Sequence, residues 1–397
     1  MGVLRLREFR LLFGAQAVSI VGDRMVGIAL AFAVLELGGS ATEVGIVLAV
    51  RMAPMVATLL IGGVVADRVS RRTVMIVSDV VRVFSQGVTA AVLIAGVAQV
   101  WELAVLAGVT GAAGGFFYPA VVGVMPLIVP REQLGAANGV RATALSGGEI
   151  AGPVLGGLLI AGVGPGSALA LDAATFAVSA VFLLALRLPA AAAAAREPST
   201  FVADLREGWG VFRSMTWVWA IVLAAALGNM IWAAWSVLGP VIAERSLGGA
   251  AAWGFVLGAM GVGALIGSIV AIRARPERPL VWATIAYGLV VFPLAFLAAG
   301  VPLAILAIGG LLGGLSSMLG NTIWEAALQS HVPEESLGRV SAYDWFGSMA
   351  FNPLGMAIWG PIAAGIGVST ALWVAVVVLA CISGTLRATP AIRQLRA

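Results

Sequence analysis

Twelve stretches of mostly apolar residues follow one another along this chain, each long enough to cross a bilayer, and they leave few architectures open. About 20 apolar residues span the hydrocarbon core as a helix. Punctuation by charge, Pro and Gly places the spans at 9–37, 41–66, 73–97, 101–128, 138–162, 166–187, 215–243, 250–272, 279–299, 302–329, 339–364 and 367–386. Hydrophobic residues are 61% of the 397 and charged ones 11%, more apolar surface than a soluble fold can bury. The chain is therefore expected to be an all-α polytopic membrane protein. Its first apolar stretch, Leu11 to Leu37, is far longer than a signal-peptide core and lacks a small-residue cleavage site, so it reads as the first transmembrane helix.

Arginines alternate with the spans. Arg5, Arg7 and Arg10 precede the first, Arg68, Arg71 and Arg72 follow the second, and Arg131 and Arg141 bracket the turn from fourth to fifth. Arg187, Arg196, Arg206 and Arg213 lie in the central connection, Arg273, Arg275 and Arg278 follow the eighth span, and Arg387, Arg393 and Arg396 end the chain. The opposite turns hold only Arg245, so the positive-inside rule puts both termini in the cytoplasm of a bacterial plasma membrane. This basic balance reports topology and attraction to anionic lipid, not nucleic acid. The polar connection 188–213 separates an N-terminal six-helix half (1–187) from a C-terminal one (214–397). Val129-Pro130-Arg131-Glu132-Gln133-Leu134-Gly135 recurs as Val332-Pro333-Glu334-Glu335-Ser336-Leu337-Gly338 after the fourth span of each half, which marks two pseudo-symmetric repeats.

Several function classes drop out. All 23 basic side chains are arginine, so there is no lysine for a P-loop or Schiff base. One cysteine (Cys381) and one histidine (His331) leave little for a metal site, and no nucleophile elbow or paired-acid signature appears. No metal, cofactor or enzymatic activity is expected, and nothing requires an oligomer beyond a monomer.

Two motifs carry a resemblance. Between the second and third spans, Gly63-Val64-Val65-Ala66-Asp67-Arg68-Val69-Ser70-Arg71-Arg72 resembles the GxxxDRxGRR loop of the major facilitator superfamily, with Ser70 in place of glycine. From Gly139 the fifth span reads GVRATALSGGEIAGPVLGG, with Gly139, Gly148, Gly152, Pro153, Gly156 and Gly157 at the intervals of that superfamily's drug:proton antiporter signature. The opening LREFRLLFGAQAVSIVGDRM and the linker phrase DLREGWGVF look most like the macrolide-efflux and enterobactin-exporter branch. The resemblance implies the major facilitator fold, with a substrate site near the midplane of two parallel repeats. It also implies that Gly63, Asp67, Arg68, Arg71 and Arg72 form a cytoplasmic latch, with Asp67 near Arg339 to Ser341. A solvated basic turn that only sets topology is the alternative for this loop. For the fifth span the alternative is ordinary small-residue packing.

Charges inside spans are costly unless paired or hydrated. Asp23 and Arg24 lie roughly 20 Å into the first span at 1.5 Å per residue, and Arg51 reaches a similar depth in the second. A pair between these two helices is expected. Asp23, Glu149 and Glu325 are the candidate proton carriers, each with a fixed ion pair as its alternative. Related antiporters have an arginine in the fourth span where this chain has Ala107, so Arg51 is the expected substitute. Asp79 and Arg82 read as shallower residues that pair with the loop arginines. Gln16, Phe117, Tyr118, Asn229, Trp232, Asn321 and Trp324 are the expected cavity residues, since aromatic walls suit bulky amphipathic or cationic cargo. The resulting expectation is proton-coupled efflux of a bulky amphipathic small molecule. An uptake symporter or facilitator and a non-transporting sensor or scaffold stand as alternatives.

Overall fold

No water reaches the backbone in hydrocarbon, so each apolar run closes its hydrogen bonds internally as a helix. The computed structural model describes residues 2–188, 209–274 and 276–395. Among them no strand occurs, and twelve helical segments are long and apolar enough to cross a membrane. The first six are α1 (Arg7–Glu36), α2 (Ala41–Arg68), α3 (Arg71–Ile94), α4 (Val100–Ile128), α5 (Leu134–Val163) and α6 (Pro165–Ala185). The other six are built from α7 (Thr216–Ile242), α8 (Gly249–Arg273), α9 (Pro279–Leu289) with α10 (Val291–Ala299), α11 (Leu303–His331), α12 (Glu334–Met349) with α13 (Asn352–Ile366), and α14 (Val368–Ala388), and the short α15 (Pro390–Gln394) follows. Arg196 and Arg206 of the central connection, with Arg275 and Arg396, lie outside the described residues.

The chemistry at the helix ends is local. Ser40 caps α2 in a reciprocal box with Glu43, whose Oε2 accepts from the Ser40 N–H at 2.7 Å. The ninth span divides into α9 and α10 at Val290, because Pro293 clashes with the carbonyl four residues earlier, that of Leu289. Pro353 ends α12 at Met349 by the same offset. Gly164 (φ 94°) and Gly367 (φ 87°) make the tight turns into α6 and α14, a backbone conformation that L side chains rarely adopt.

Two compact units form. One comprises Met1–Ala192 with Val237–Gly258, the other Ala193–Ser236 with Ala259–Ala397. In the first, α2 packs on α4, α1 on α5 and α6, and α3 on α4 and α6. Gly111 and Gly115 of α4 sit so close to the α2 backbone at Arg51 and Met55 that a Cβ would collide with those carbonyl oxygens. The second unit repeats this contact, where Gly263 and Gly267 of α8 meet the carbonyls of Leu311 and Leu315 and Gly314 of α11 meets that of Met260. Small residues allow such close helix approach in a membrane, where apolar contact with lipid competes with apolar contact between helices.

Polarity is inverted relative to a soluble protein. Along α3 the buried set includes Ser78, Asp79, Arg82, Ser85, Gln86 and Thr89, whereas Val77, Val80, Phe84 and Val88 are exposed. The polar stripe faces protein and the apolar one faces outward.

Candidate functional site

The α3 stripe has the spacing of one helical face, since residues three, four and seven apart line up. It meets α1, α2 and α6 in a cluster of ionisable side chains. Arg82 is at its centre and only 4% exposed. Its Nη2 lies 2.5 Å from Asp79 Oδ1 one turn earlier, and its Nη1 lies 3.6 Å from Asp23 Oδ2 on α1. The guanidinium is sandwiched between Phe117 of α4 and Phe176 of α6, 4.4 and 4.1 Å from the ring centroids. Ser179 of α6 donates to Asp79 Oδ2 at 2.6 Å, so both oxygens of that fully buried carboxylate are engaged.

Arg51 of α2 approaches Asp23 Oδ1 at 4.0 Å, so the expected pair between the first two spans forms, with Arg82 as a third member. Asp79 and Arg82 do not pair with the loop arginines as expected. They sit at mid-span and bind each other, Asp23 and Ser179. The reason is geometric, because Asp79 and Arg82 lie one turn apart on the buried face of α3. Arg71 donates to the Gly123 carbonyl at 2.5 Å, and Arg72 donates to the carbonyls of Leu183 and Leu184 at 2.9 and 2.5 Å. Leu183 and Leu184 lie in the last turn of α6, where the final carbonyls lack partners within the helix and carry the negative end of its dipole, which a guanidinium satisfies.

Asp172 of α6 was missed from sequence. It is fully buried, and Gln86 Nε2 donates to its Oδ2 at 2.7 Å. Its Oδ1 has no hydrogen-bond partner and abuts the α1 backbone at Gly22, where a Cβ would collide with it. On the other side of α1, Arg24 Nη2 binds Glu149 Oε1 of α5 at 2.6 Å. Gly148, Gly152 and Gly156 hold α5 against Ile20, Val21, Arg24 and Met25. Gly157 meets Ala250 and Gly254 at the start of α8, and a Cβ at Gly139 would meet nothing within 4 Å. The helix runs unbroken through the buried Pro153.

Other predicted residues are dispersed. Gln16 is buried and accepts from Arg141 Nε at 2.8 Å, while Tyr118 lies exposed with Arg141 5.9 Å from its ring. In the second unit Asn229 donates to the Ser348 carbonyl at 2.9 Å and Trp232 stacks on Trp235 at 5.4 Å. Trp324 Nε1 donates to Asp344 Oδ2 at 3.0 Å, Asn321 accepts from the Tyr287 hydroxyl at 2.7 Å, and Glu325 is exposed on the same helix. Of the latch, Arg68 is exposed and Gly63 has open space beside it; the side chains of Asp67 and Arg339 lie outside the described residues. Among the described residues no His, Cys, Asp and Glu group could hold a metal ion.

The sequence model of the Major Facilitator Superfamily matches residues 12–351. The chain belongs to the major facilitator superfamily. This major facilitator protein is 31% identical over 370 residues to the multidrug efflux pump Tap of Mycolicibacterium fortuitum, with 87% of each chain covered. It is 29% identical over 377 residues to the enterobactin exporter EntS of Escherichia coli, covering 90% of this chain and 85% of that one. Among solved structures its fold is similar to that of the nucleoside transporter NupG (TM-score 0.70, 13% identity, 96% and 98% covered). It is also similar to a bacterial homolog of the human lysosomal transporter Spinster in an inward-facing, unoccupied conformation (TM-score 0.75, 13% identity, 96% and 95% covered). The protein is thus a multi-pass membrane transporter of small molecules and not an enzyme.

Proposed function

We propose that this transporter exports a bulky amphipathic small molecule from the cytoplasm in exchange for protons, by alternating access between two six-helix halves joined through residues 188–213. Similarity along nearly the whole length to two proteins named as exporters carries the direction of transport. Proton exchange rests on the buried cluster of Asp23, Arg51, Asp79 and Arg82, because ionisable groups kept inside a membrane are expensive and a carboxyl among arginines can shift its charge between states. The halves act as a monomer with both termini cytoplasmic, and the latch residues Gly63, Asp67, Arg68, Arg71 and Arg72 bias one state. Asp23 and Glu149 are the coupling carboxylates first in line, with Arg51 and Glu325 next, and the second-unit aromatics Trp232 and Trp324 contact cargo.

The test is efflux of macrolides, cationic dyes and catechol siderophores from energised cells, with and without a proton uncoupler, in wild type, Asp23→Asn and Glu149→Gln. Export that stops on uncoupling and in either variant supports proton exchange. Uncoupler-resistant export retained in both variants identifies a facilitator or another coupling ion, and uptake in place of efflux identifies a symporter.

A further inference from the structure

Around Arg82 the ionisable groups do not balance. Three carboxyls (Asp23, Asp79, Asp172) face two guanidiniums (Arg51, Arg82), while Arg24 and Glu149 neutralise each other to one side. An uncompensated carboxylate is costly away from water. One proton removes the excess, and the three carboxyls are not equally suited to hold it. Asp79 has Arg82 at 2.5 Å and the Ser179 hydroxyl at 2.6 Å. Asp23 has both arginines and a side chain 38% accessible. Asp172 has one neutral amide, no exposure and an oxygen without a partner.

We propose that Asp172 is a proton-binding carboxyl of this transporter, neutral in the conformation described, and that it shares Arg51 with Asp23 once the proton leaves. The proposal rests on the reading of the protein as a proton-exchanging transporter and adds the residue that holds the proton. Every element packed around α6 is consistent with it. From α1 the charged neighbour is Asp23, and from α3 they are Arg82 and Asp79, the latter held by Ser179 of α6; Arg51 of α2 joins the group 4.0 Å from Asp23. The charged residues of α5, Arg141 and Glu149, are occupied by Gln16 and Arg24.

Gln86 suits both states of the carboxyl. Its amide N–H₂ donates to a carboxylate, and with the amide turned over its oxygen accepts from a carboxylic acid. On deprotonation the O–H bond of Asp172 breaks and the proton passes by way of the accessible Asp23 to water. The carboxylate left behind takes up Arg51, whose Nε is buried and without a hydrogen-bond partner. Gly22 admits the movement, since no side chain stands between the α1 backbone and Asp172 Oδ1.

The first experiment is infrared spectroscopy of the full-length protein in lipid at neutral pH, in light and heavy water. A deuterium-sensitive carboxylic-acid carbonyl band is expected in wild type. It is lost in Asp172→Asn, shifted in Gln86→Leu, which removes the hydrogen-bonding amide, and retained in Asp79→Asn. The Gln86 variant makes the assignment should Asp172→Asn fail to fold. Absence of the band in wild type, or its persistence unshifted in both Asp172→Asn and Gln86→Leu, overturns the proposal.

The second is dye accumulation in proteoliposomes under an imposed gradient of about one pH unit, a factor of about ten in accumulation per proton exchanged. Wild type and Asp172→Glu are expected to show that factor. Asp172→Asn is expected to lose it while retaining exchange of labelled for unlabelled dye. Gradient-driven accumulation by Asp172→Asn with the wild-type pH profile overturns the assignment. Wild-type dye exchange that ignores the gradient, with the infrared band present, overturns proton-coupled export and leaves Asp172 as a neutral buried acid.

Discussion

Arg24 Nη2 of α1 and Glu149 Oε1 of α5 lie 2.6 Å apart, and Glu149 is the residue whose backbone carbonyl Pro153 leaves without its helical donor four residues on. The ion pair therefore pins α1 to α5 at the point where α5 has lost a rung of its ladder. Both side chains are nearly half accessible, 45% and 43%, so the pair adds only about 0–1 kcal/mol to stability. Arg24→Glu and Glu149→Arg are each expected to reduce export with little change in melting temperature, and the double exchange to recover export. Export from the double variant no better than from either single one would remove the pair from the mechanism.

The glycines of the fifth span are not equivalent. A Cβ on Gly152 would lie 2.5 Å from Arg24 Cβ and 2.9 Å from the Val21 carbonyl, whereas one on Gly139 meets nothing within 4 Å. Gly152→Ala should cost about 1–3 kcal/mol through overpacking. At Gly139 alanine should be neutral or gain up to about 1 kcal/mol in helix propensity. Thermal unfolding of both variants in detergent reads the contrast, and equal effects at the two sites would contradict this packing.

Arg82 is the structural keystone of the buried cluster. Arg82→Met leaves Asp79 and Asp23 short of a counter-charge and is expected to cost about 3–5 kcal/mol. Adding Asp79→Asn to it should return part of that loss, because the stranded carboxylate is gone. Expression level and melting temperature of the single and double variants give the coupling, and strict additivity would mean that the 2.5 Å contact carries no net interaction.

Arg72 closes the end of α6 through the Leu183 and Leu184 carbonyls, so Arg72→Ala is expected to lose about 1–3 kcal/mol. Lysine restores the charge without the two-pronged fork, so Arg72→Lys should recover only part. Hydrogen exchange localised to the last turn of α6 reports the effect. Unchanged protection there in Arg72→Ala would leave this arginine with a purely topological role.

Where the spans begin and end was legible in sequence because the bilayer imposes a length and an apolar composition on every helix, independent of its neighbours. Ten of the twelve predicted spans correspond to single helices, and the other two divide where Pro293 and Pro353 exclude a hydrogen bond. The pairing of Asp23 with Arg51 was also readable, since two opposite charges at similar depth on consecutive helices have few other partners. The polar stripe of α3 was there to be read as well. Ser78, Asp79, Arg82, Ser85, Gln86 and Thr89 recur at helical spacing, which in a membrane marks the inward face rather than the outward one.

What the chain alone determined, then, is its class, its helices, and the side chains too polar to face lipid. Only the tertiary structure decided how those side chains share charge. Asp172 is a solitary acid in an apolar run, and its meaning depends on Gln86, 86 positions earlier, and on the absence of a side chain at Gly22. Arg71 and Arg72 read as members of a latch from sequence, and only packing shows that they donate to the carbonyls of Gly123 in α4 and of Leu183 and Leu184 in α6. The physical reason is the same in both cases. Burial and hydrophobicity are properties of a residue and its local period, whereas the state of a buried charge is set by every donor and counter-charge around it, and those come from helices that only packing brings together.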